Sequence, residues 1–247
     1  MGNAVVATAE LYNPGTAAWA FAPAMTAARS GHTITQLASG RFLLTGGGNA
    51  SAELYDPTAN SFTATGAMSV ARQFHSASLL ADGRVVIAAG RSGGVETASA
   101  DLYNPTTGTF TATGSLNAAR SLHTGTSLTD GRVLVAGGEA GGTALASAEL
   151  FTLSANGQAC GASSDCQSGF CVDGYCCGSA CDDRCAACDV PGSLGKCSPV
   201  SGNTHGGRPG CQGGGVCGAQ CDGKSVTDCA FPDDSTACGA PRSSCSR

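Results

Sequence analysis

The sequence predicts an all-β chain of repeated four-stranded blades followed by a small disulfide-rich region. Three observations carry that prediction. One block of text recurs three times in the first 150 residues, turn signals come twice in each recurrence, and all 15 cysteines lie between Cys160 and Cys245.

The recurring block is clearest from Ala71 to Gly90, ARQFHSASLLADGRVVIAAG, with copies beginning at Ala28 and Ala119. Each reads Ala-Arg-x-x-His, a short mixed run, Gly-Arg, and an apolar strand closing on glycine. Arg29, Arg72 and Arg120 are spaced by 43 and 48 residues, and His32, His75 and His123 keep both intervals, as do Arg41, Arg84 and Arg132. A second block follows at fixed offset: Ala9-Glu10-Leu11-Tyr12, Ala52-Glu53-Leu54-Tyr55, Ala100-Asp101-Leu102-Tyr103 and Ala148-Glu149-Leu150-Phe151. The longer interval comes from one stretch after the glycines. It is four residues long in one repeat (Gly48 to Ser51) and nine in the others (Arg91 to Ser99, Glu139 to Ser147). Fixed positions in a repeat are scaffold, and variable loops are where specificity resides.

Taken in order, Ala4 to Tyr12 reads as a strand ending on Asn13-Pro14. Asn13-Pro14, Asp56-Pro57 and Asn104-Pro105 are each hairpin turns, because proline presets φ and the preceding Asx side chain caps its own turn. The return strand opens on an aromatic (Trp19, Phe62, Phe110). An apolar residue follows six later (Met25, Met68, Leu116) and is expected to plug the space between neighbouring units. Next comes the strand after Ala-Arg-x-x-His, then a tight turn at Ser39-Gly40, Asp82-Gly83 or Asp130-Gly131. Its partner, Phe42 to Thr45, Val85 to Ala88 or Val133 to Ala136, is apolar without alternation, which predicts burial on both faces. It ends on a close-packed Gly46-Gly47, Ala89-Gly90 or Gly137-Gly138. These are four short strands per period with almost no helix signal.

Composition divides the chain into 1–153, without cysteine, and 154–247, with the boundary at Ser154-Ala155-Asn156-Gly157. Net charge is −5 with both signs scattered, so there is no basic stripe for nucleic acid and no polybasic membrane patch. No apolar run is long enough for a membrane span, and no charged n-region with an apolar h-region opens the chain. Val5 to Tyr12 is already mid-repeat, which leads us to expect a start inside a longer protein.

The order of His-strand, Gly-Arg-strand-Gly-Gly, Ala-Glu-x-Tyr-Asx-Pro, aromatic, Met and Ala-Arg over residues 4–152 resembles the kelch repeat. Seven of its positions recur in register over three periods. The resemblance implies a β-propeller of four-stranded blades, here incomplete at about three repeats. The doubled glycine would end the second strand of each blade, with Tyr and the aromatic on the third and fourth. The fourth copy departs from the pattern at Thr152-Leu153, which stand where Asx-Pro is expected, so its outer hairpin is lost. From Asn156, GQACGASSDCQSGFCVDGYCC resembles cysteine-rich segments of myxobacterial surface and secreted proteins, which often accompany kelch repeats.

Histidines in register invite a metal reading, but a residue repeated with its neighbouring Arg and Glu fits a hydrogen-bonded framework better. His32, His75, His123, Arg29, Arg72, Arg120, Glu10, Glu53, Asp101 and Glu149 are therefore read as structural positions, the charged ones as ion pairs. Cys185-Ala-Ala-Cys188 lacks a second pair of zinc-ligand spacing. The cysteines 160, 166, 171, 176, 177, 181, 185, 188, 197, 211, 217, 221, 229, 238 and 245 are thus disulfide candidates, with one thiol left over because their number is odd. No phosphate loop, nucleophile elbow or His-Glu-x-x-His stands in the sequence. Some kelch-like propellers are copper radical oxidases, whose Cys, Tyr and His ligand set has no counterpart in residues 1–153.

No catalytic residue, metal or cofactor is therefore expected. The reading is a non-catalytic extracellular or cell-surface module that binds a protein or carbohydrate through Arg91, Glu96 and Glu139 of the long insertions, with a cysteine-rich stalk. The alternative is a fragment of a secreted enzyme whose catalytic part lies elsewhere. Exposed strand edges lead us to expect self-association or missing blades.

Overall fold

The computed structural model describes residues 5–181, 186–202, 220–222 and 229–230. Cys185, Cys211, Cys217, Cys238 and Cys245 lie outside the described residues, and Cys221 and Cys229 are placed by their backbone alone. The chain divides into two compact units, Met1–Thr152 and Leu153–Arg247.

The first unit is all-β, with its sheets arranged as blades of a partial β-propeller. It begins with a hairpin of β1 (Glu10–Asn13) and β2 (Ala18–Phe21). The strand expected from Ala4 is shorter than that, because residues 5–9 have no ladder partner. The first blade is β3 (His32–Gln36), β4 (Phe42–Gly46), β5 (Ala52–Asp56) and β6 (Ser61–Ala64), paired antiparallel in that order. The second begins with β7 (Ser76–Leu79) and β8 (Val85–Ala88). After a small hairpin of β9 (Arg91–Ser92) and β10 (Val95–Glu96), it is completed by β11 (Ala100–Asn104) and β12 (Thr109–Thr113). The third has β13 (Thr124–Ser127) and β14 (Val133–Ala136), a second small hairpin of β15 (Glu139–Ala140) and β16 (Thr143–Ala144), and β17 (Ala148–Phe151). It has three strands, β13-β14-β17.

The turn chemistry acts as the sequence suggests. Asn13, Asp56 and Asn104 each accept, through Oδ1, the backbone N–H two residues on, at 2.8, 2.9 and 2.9 Å. The main core lies between the first two blades and contains Leu43, Leu54, Met68, Val85, Ile87 and Tyr103. Met25 packs with Leu44 and Tyr55. All four residues of β8 are buried, as its unbroken apolar run requires. In β14 burial alternates instead: Val133 and Val135 are inside while Leu134 and Ala136 are half-buried. The same sequence signal gives a different result there because no blade follows the third within the described residues.

The second unit contains short strand pairs: β18 (Cys171–Val172) with β19 (Tyr175–Cys176), and β20 (Ala186–Ala187) with β21 (Ser198–Pro199). A three-stranded sheet of β22 (Ser201–Gly202), β23 (Gln220–Asp222) and β24 (Cys229–Ala230) follows. One 3₁₀ turn, Ser163–Asp165, precedes them, and there is no α-helix among the described residues. Disulfides join Cys160–Cys171, Cys166–Cys176, Cys177–Cys188 and Cys181–Cys197. The core of this unit is largely sulfur: Cys177, Cys181 and Cys188 are buried around Ala186, with Val172 and Cys197 against them. Four disulfides among the described residues of this unit indicate an oxidising environment. Among the described residues no helix is long and apolar enough to cross a membrane.

Alkylation of the unreduced protein followed by peptide mapping should leave those eight cysteines unlabelled and recover Cys160 linked to Cys171. Label on any of the eight would contradict the pairing.

Candidate functional site

Each repeat is built around one buried arginine. Ala-Arg follows the outer strand of one blade, so its guanidinium turns into the next blade, where the doubled glycine and the third strand converge. Arg29 donates from Nη1 to the carbonyl oxygens of Gly46 and Ser51 at 2.6 and 2.9 Å, and from Nη2 to Glu53 at 2.7 Å. Arg72 repeats this with Ala89, Ser99 and Asp101, and Arg120 with Gly137, Ser147 and Glu149. The carboxylate has a second task. Glu53 accepts the N–H groups of Thr26 and Ala27, Asp101 that of Ser69, and Glu149 those of Asn117 and Ala118. The clamp therefore holds the turn that precedes the arginine itself. Burial acts to raise the carboxyl of Glu53, yet the Thr26 N–H and the Arg29 guanidinium outweigh it and hold the group below its ordinary range.

Three members of the set differ. Nε of Arg72, opposite the shorter Asp101, and Nε of Arg120, opposite Glu149, both have no partner, whereas Nε of Arg29 donates to Glu53 at 3.0 Å. Glu10 is exposed on β1, without an arginine partner among the described residues. Its expected ion pair is not formed.

The histidines link neighbouring blades. Nε2 of His75 lies 3.0 Å from both Thr33 Oγ1 and Thr45 Oγ1 of the first blade, and Nε2 of His123 lies 2.9 Å from Ser76 Oγ of the second. Burial, then the nearby Arg72 guanidinium, pushes His75 down to about 3, and burial with Arg120 pushes His123 down to about 4. His32 is lowered by burial and Arg29. The hydroxyl partners escaped the sequence reading. A signal was present nonetheless, because Thr33, Ser76 and Thr124 follow the three histidines directly.

The long insertions are hairpins, not open loops. Gly93-Gly94 and Gly141-Gly142 all have positive φ (59° and 87°, 57° and 76°), which is the two-residue turn whose twist suits a hairpin. The glycine pairs therefore shape these loops. The three candidate binding residues come together across the two hairpins. Arg91 Nε donates to Glu96 at 2.8 Å and its Nη2 to Glu139 at 2.7 Å. Glu96 also accepts the N–H of Gly141 and is held below its ordinary range, chiefly by Arg91. The cluster holds two carboxylates to one guanidinium and is partly exposed. The first blade has no equivalent, since its connection is the short Gly48-to-Ser51 loop.

Among the described residues, close sets of three metal-type ligand atoms occur only at Cys160, Cys166 and Cys176 and at Cys177, Cys181 and Cys197. All six sulfurs are engaged in S–S bonds. Cys188, half of the Cys-x2-Cys pair, is bonded to Cys177. Compared with known protein families and with curated proteins, the chain matches none.

Arg72→Met should lower the unfolding free energy of the first unit by about 3–5 kcal/mol, because Asp101 and the carbonyls of Ala89 and Ser99 lose a buried partner. The exposed Arg132–Asp130 pair provides the control, and Arg132→Met should leave the urea midpoint unchanged. Acid should also destabilise this unit. Its buried histidines are neutral when folded but titrate near ~6.5 when unfolded, so the unfolded chain binds more protons below that pH. Stability is thus complete above about pH 6.5 and falls as pH drops toward the folded values, about 3 for His75. Urea midpoints measured against pH should show this slope, and His75→Gln should flatten it.

Proposed function

We propose that this chain is a non-catalytic extracellular or cell-surface binding module, kelch-like in its first unit, which recognises a protein or carbohydrate through the paired hairpins. The observation that carries the reading is the division of labour among charged side chains. Arg29, Arg72, Arg120, Glu53, Asp101 and Glu149 are consumed in the clamps. The partly exposed Arg91–Glu96–Glu139 cluster lies on segments that vary between repeats. Its carboxylates can accept hydrogen bonds from hydroxyls or amides of a ligand, while Arg91 orients them. Hairpins already held by an inter-blade ion pair lose little conformational freedom on binding, which favours affinity.

The disulfide-rich unit supports an extracellular setting and would serve as a protease-resistant stalk. Absence of catalysis fits the repeated clamps, since acid–base work needs carboxylates in unlike environments and the repeats give like ones.

Replacing both insertions with the short Gly48-to-Ser51 loop should leave the unit folded and abolish binding to a glycan and cell-surface protein array. Arg91→Ala should weaken it. Unchanged binding by the double graft would locate recognition elsewhere.

A further inference from the structure

Two disulfides of the second unit lie against each other. Sγ of Cys177, bonded to Cys188, is 3.4 Å from Sγ of Cys181 and 3.8 Å from Sγ of Cys197, which are bonded to one another. At such a separation a freed thiolate is within bond-forming reach of the neighbouring sulfur. Access to the sulfurs is unequal. Cys177 and Cys188 are fully buried and Cys181 is buried, whereas Cys197 packs at the edge of the cluster and is half-buried. Its Sγ lies 2.8 Å from the hydroxyl of the exposed Ser179, so it is the sulfur that faces polar surroundings.

We propose that these four cysteines form a thiol–disulfide relay, in which a small-molecule monothiol that reaches only Cys197 opens the buried Cys177–Cys188 bond through Cys181. The thiolate of this monothiol, RSH, attacks Cys197 Sγ. An R–S–Cys197 bond forms, the Cys181–Cys197 bond breaks, and the electron pair leaves on Cys181. That thiolate is buried, where charge is costly, and Cys177 Sγ is in contact with it. It attacks there, forming Cys177–Cys181 and breaking Cys177–Cys188, and the electron pair leaves on Cys188. The Cys188 backbone N–H donates to Asp173 Oδ2 at 3.0 Å, and beside that carboxylate the Cys188 thiolate takes a proton. A second RSH attacks the R sulfur, giving RSSR and the Cys197 thiol. Two RSH are thus oxidised to RSSR, and one disulfide of the chain becomes two thiols.

Loop length favours the exchange. Cys177 and Cys181 are 4 residues apart, whereas the bonds they give up span 11 and 16, and a shorter loop costs less entropy to close. The outcome also differs from reduction of Cys181–Cys197 alone. Cys188 directly follows β20 and Cys197 directly precedes β21. Both tethers of the β20–β21 pair are therefore released together, while direct reduction of the outer bond would leave the pair tied through Cys177–Cys188. The relay makes the attachment of this hairpin responsive to thiol.

The test uses the 247-residue chain with its free thiols first capped by iodoacetamide, because 15 cysteines leave at least one without an intrachain partner. A short pulse of limiting reduced glutathione is quenched with N-ethylmaleimide and the peptides are mapped without reduction. Maleimide is expected on Cys188, glutathione or maleimide on Cys197, and a Cys177–Cys181 link in place of Cys177–Cys188, with Cys181 unlabelled. Cys197→Ser gives a second reading without any added thiol. Cys181 then lacks its partner and should take Cys177, so the purified variant should carry its free thiol on Cys188. Label on Cys181 with Cys177–Cys188 intact, in the pulse or in the variant, would overturn the proposal. So would label on Cys177 and Cys188 with Cys181–Cys197 intact, which is direct attack on the buried bond.

Discussion

Everything in the first unit hangs on a guanidinium placed where four backbone segments meet. A buried arginine is expensive unless it is paired and hydrogen-bonded, and here, although Nε of Arg72 and Arg120 goes unused, the expense is offset by carbonyls that the fold must satisfy in any case. At the end of the second strand of each blade the carbonyl of Gly46, Ala89 or Gly137 meets the guanidinium, and arginine supplies the donor. The same side chain joins that carbonyl to the third strand through a carboxylate, and the carboxylate holds the turn leading into the arginine. Three structurally separate requirements are thus met by one side-chain pair. That explains why Ala-Arg and Ala-Glu or Ala-Asp recur at fixed offset while the chain between them changes length.

Most of the blade was legible because its signals are local. Asx-Pro, Asp-Gly and the unbroken apolar run of β8 each act within a few residues, and each forms the element it implies. What lies between repeats was harder to read. The partner of His75 is 42 residues earlier, at Thr33, and spacing alone does not reveal which hydroxyl it meets. Likewise, that Arg29 clamps Glu53 and not Glu10 follows from the path of the chain between blades, which no single repeat contains. The alternating burial of β14 and the exposure of Glu10 have one cause. A position is buried in a stacked fold only when a neighbour exists to bury it.

The insertions show how such a frame accommodates variation. Both begin immediately after the glycine that closes the second strand, Gly90 or Gly138, and are anchored by a backbone bridge: Gln73 with Arg91 in one repeat, Ser121 with Glu139 in the other. Beyond that anchor the hairpin is free to carry any side chains, since neither clamp nor core reaches it. Phe74 and Leu122, both at positive φ just before the histidines, form the other side of this anchoring. Bulky residues adopt that conformation only where surrounding bonds impose it, and the chain of hydrogen bonds from Gly31 to Phe74 to Leu122 does so.

The sulfur-lined interior of the second unit links collapse to oxidation. In most domains apolar side chains gather first and any disulfides then lock what has formed. Here the buried side chains are largely the cysteines themselves, so until electrons are withdrawn from the thiols there is little for the segment to collapse onto. A newly made chain in a reducing compartment would hold these residues as a pliant thread. Such a thread acquires a shape only where its thiols can be oxidised.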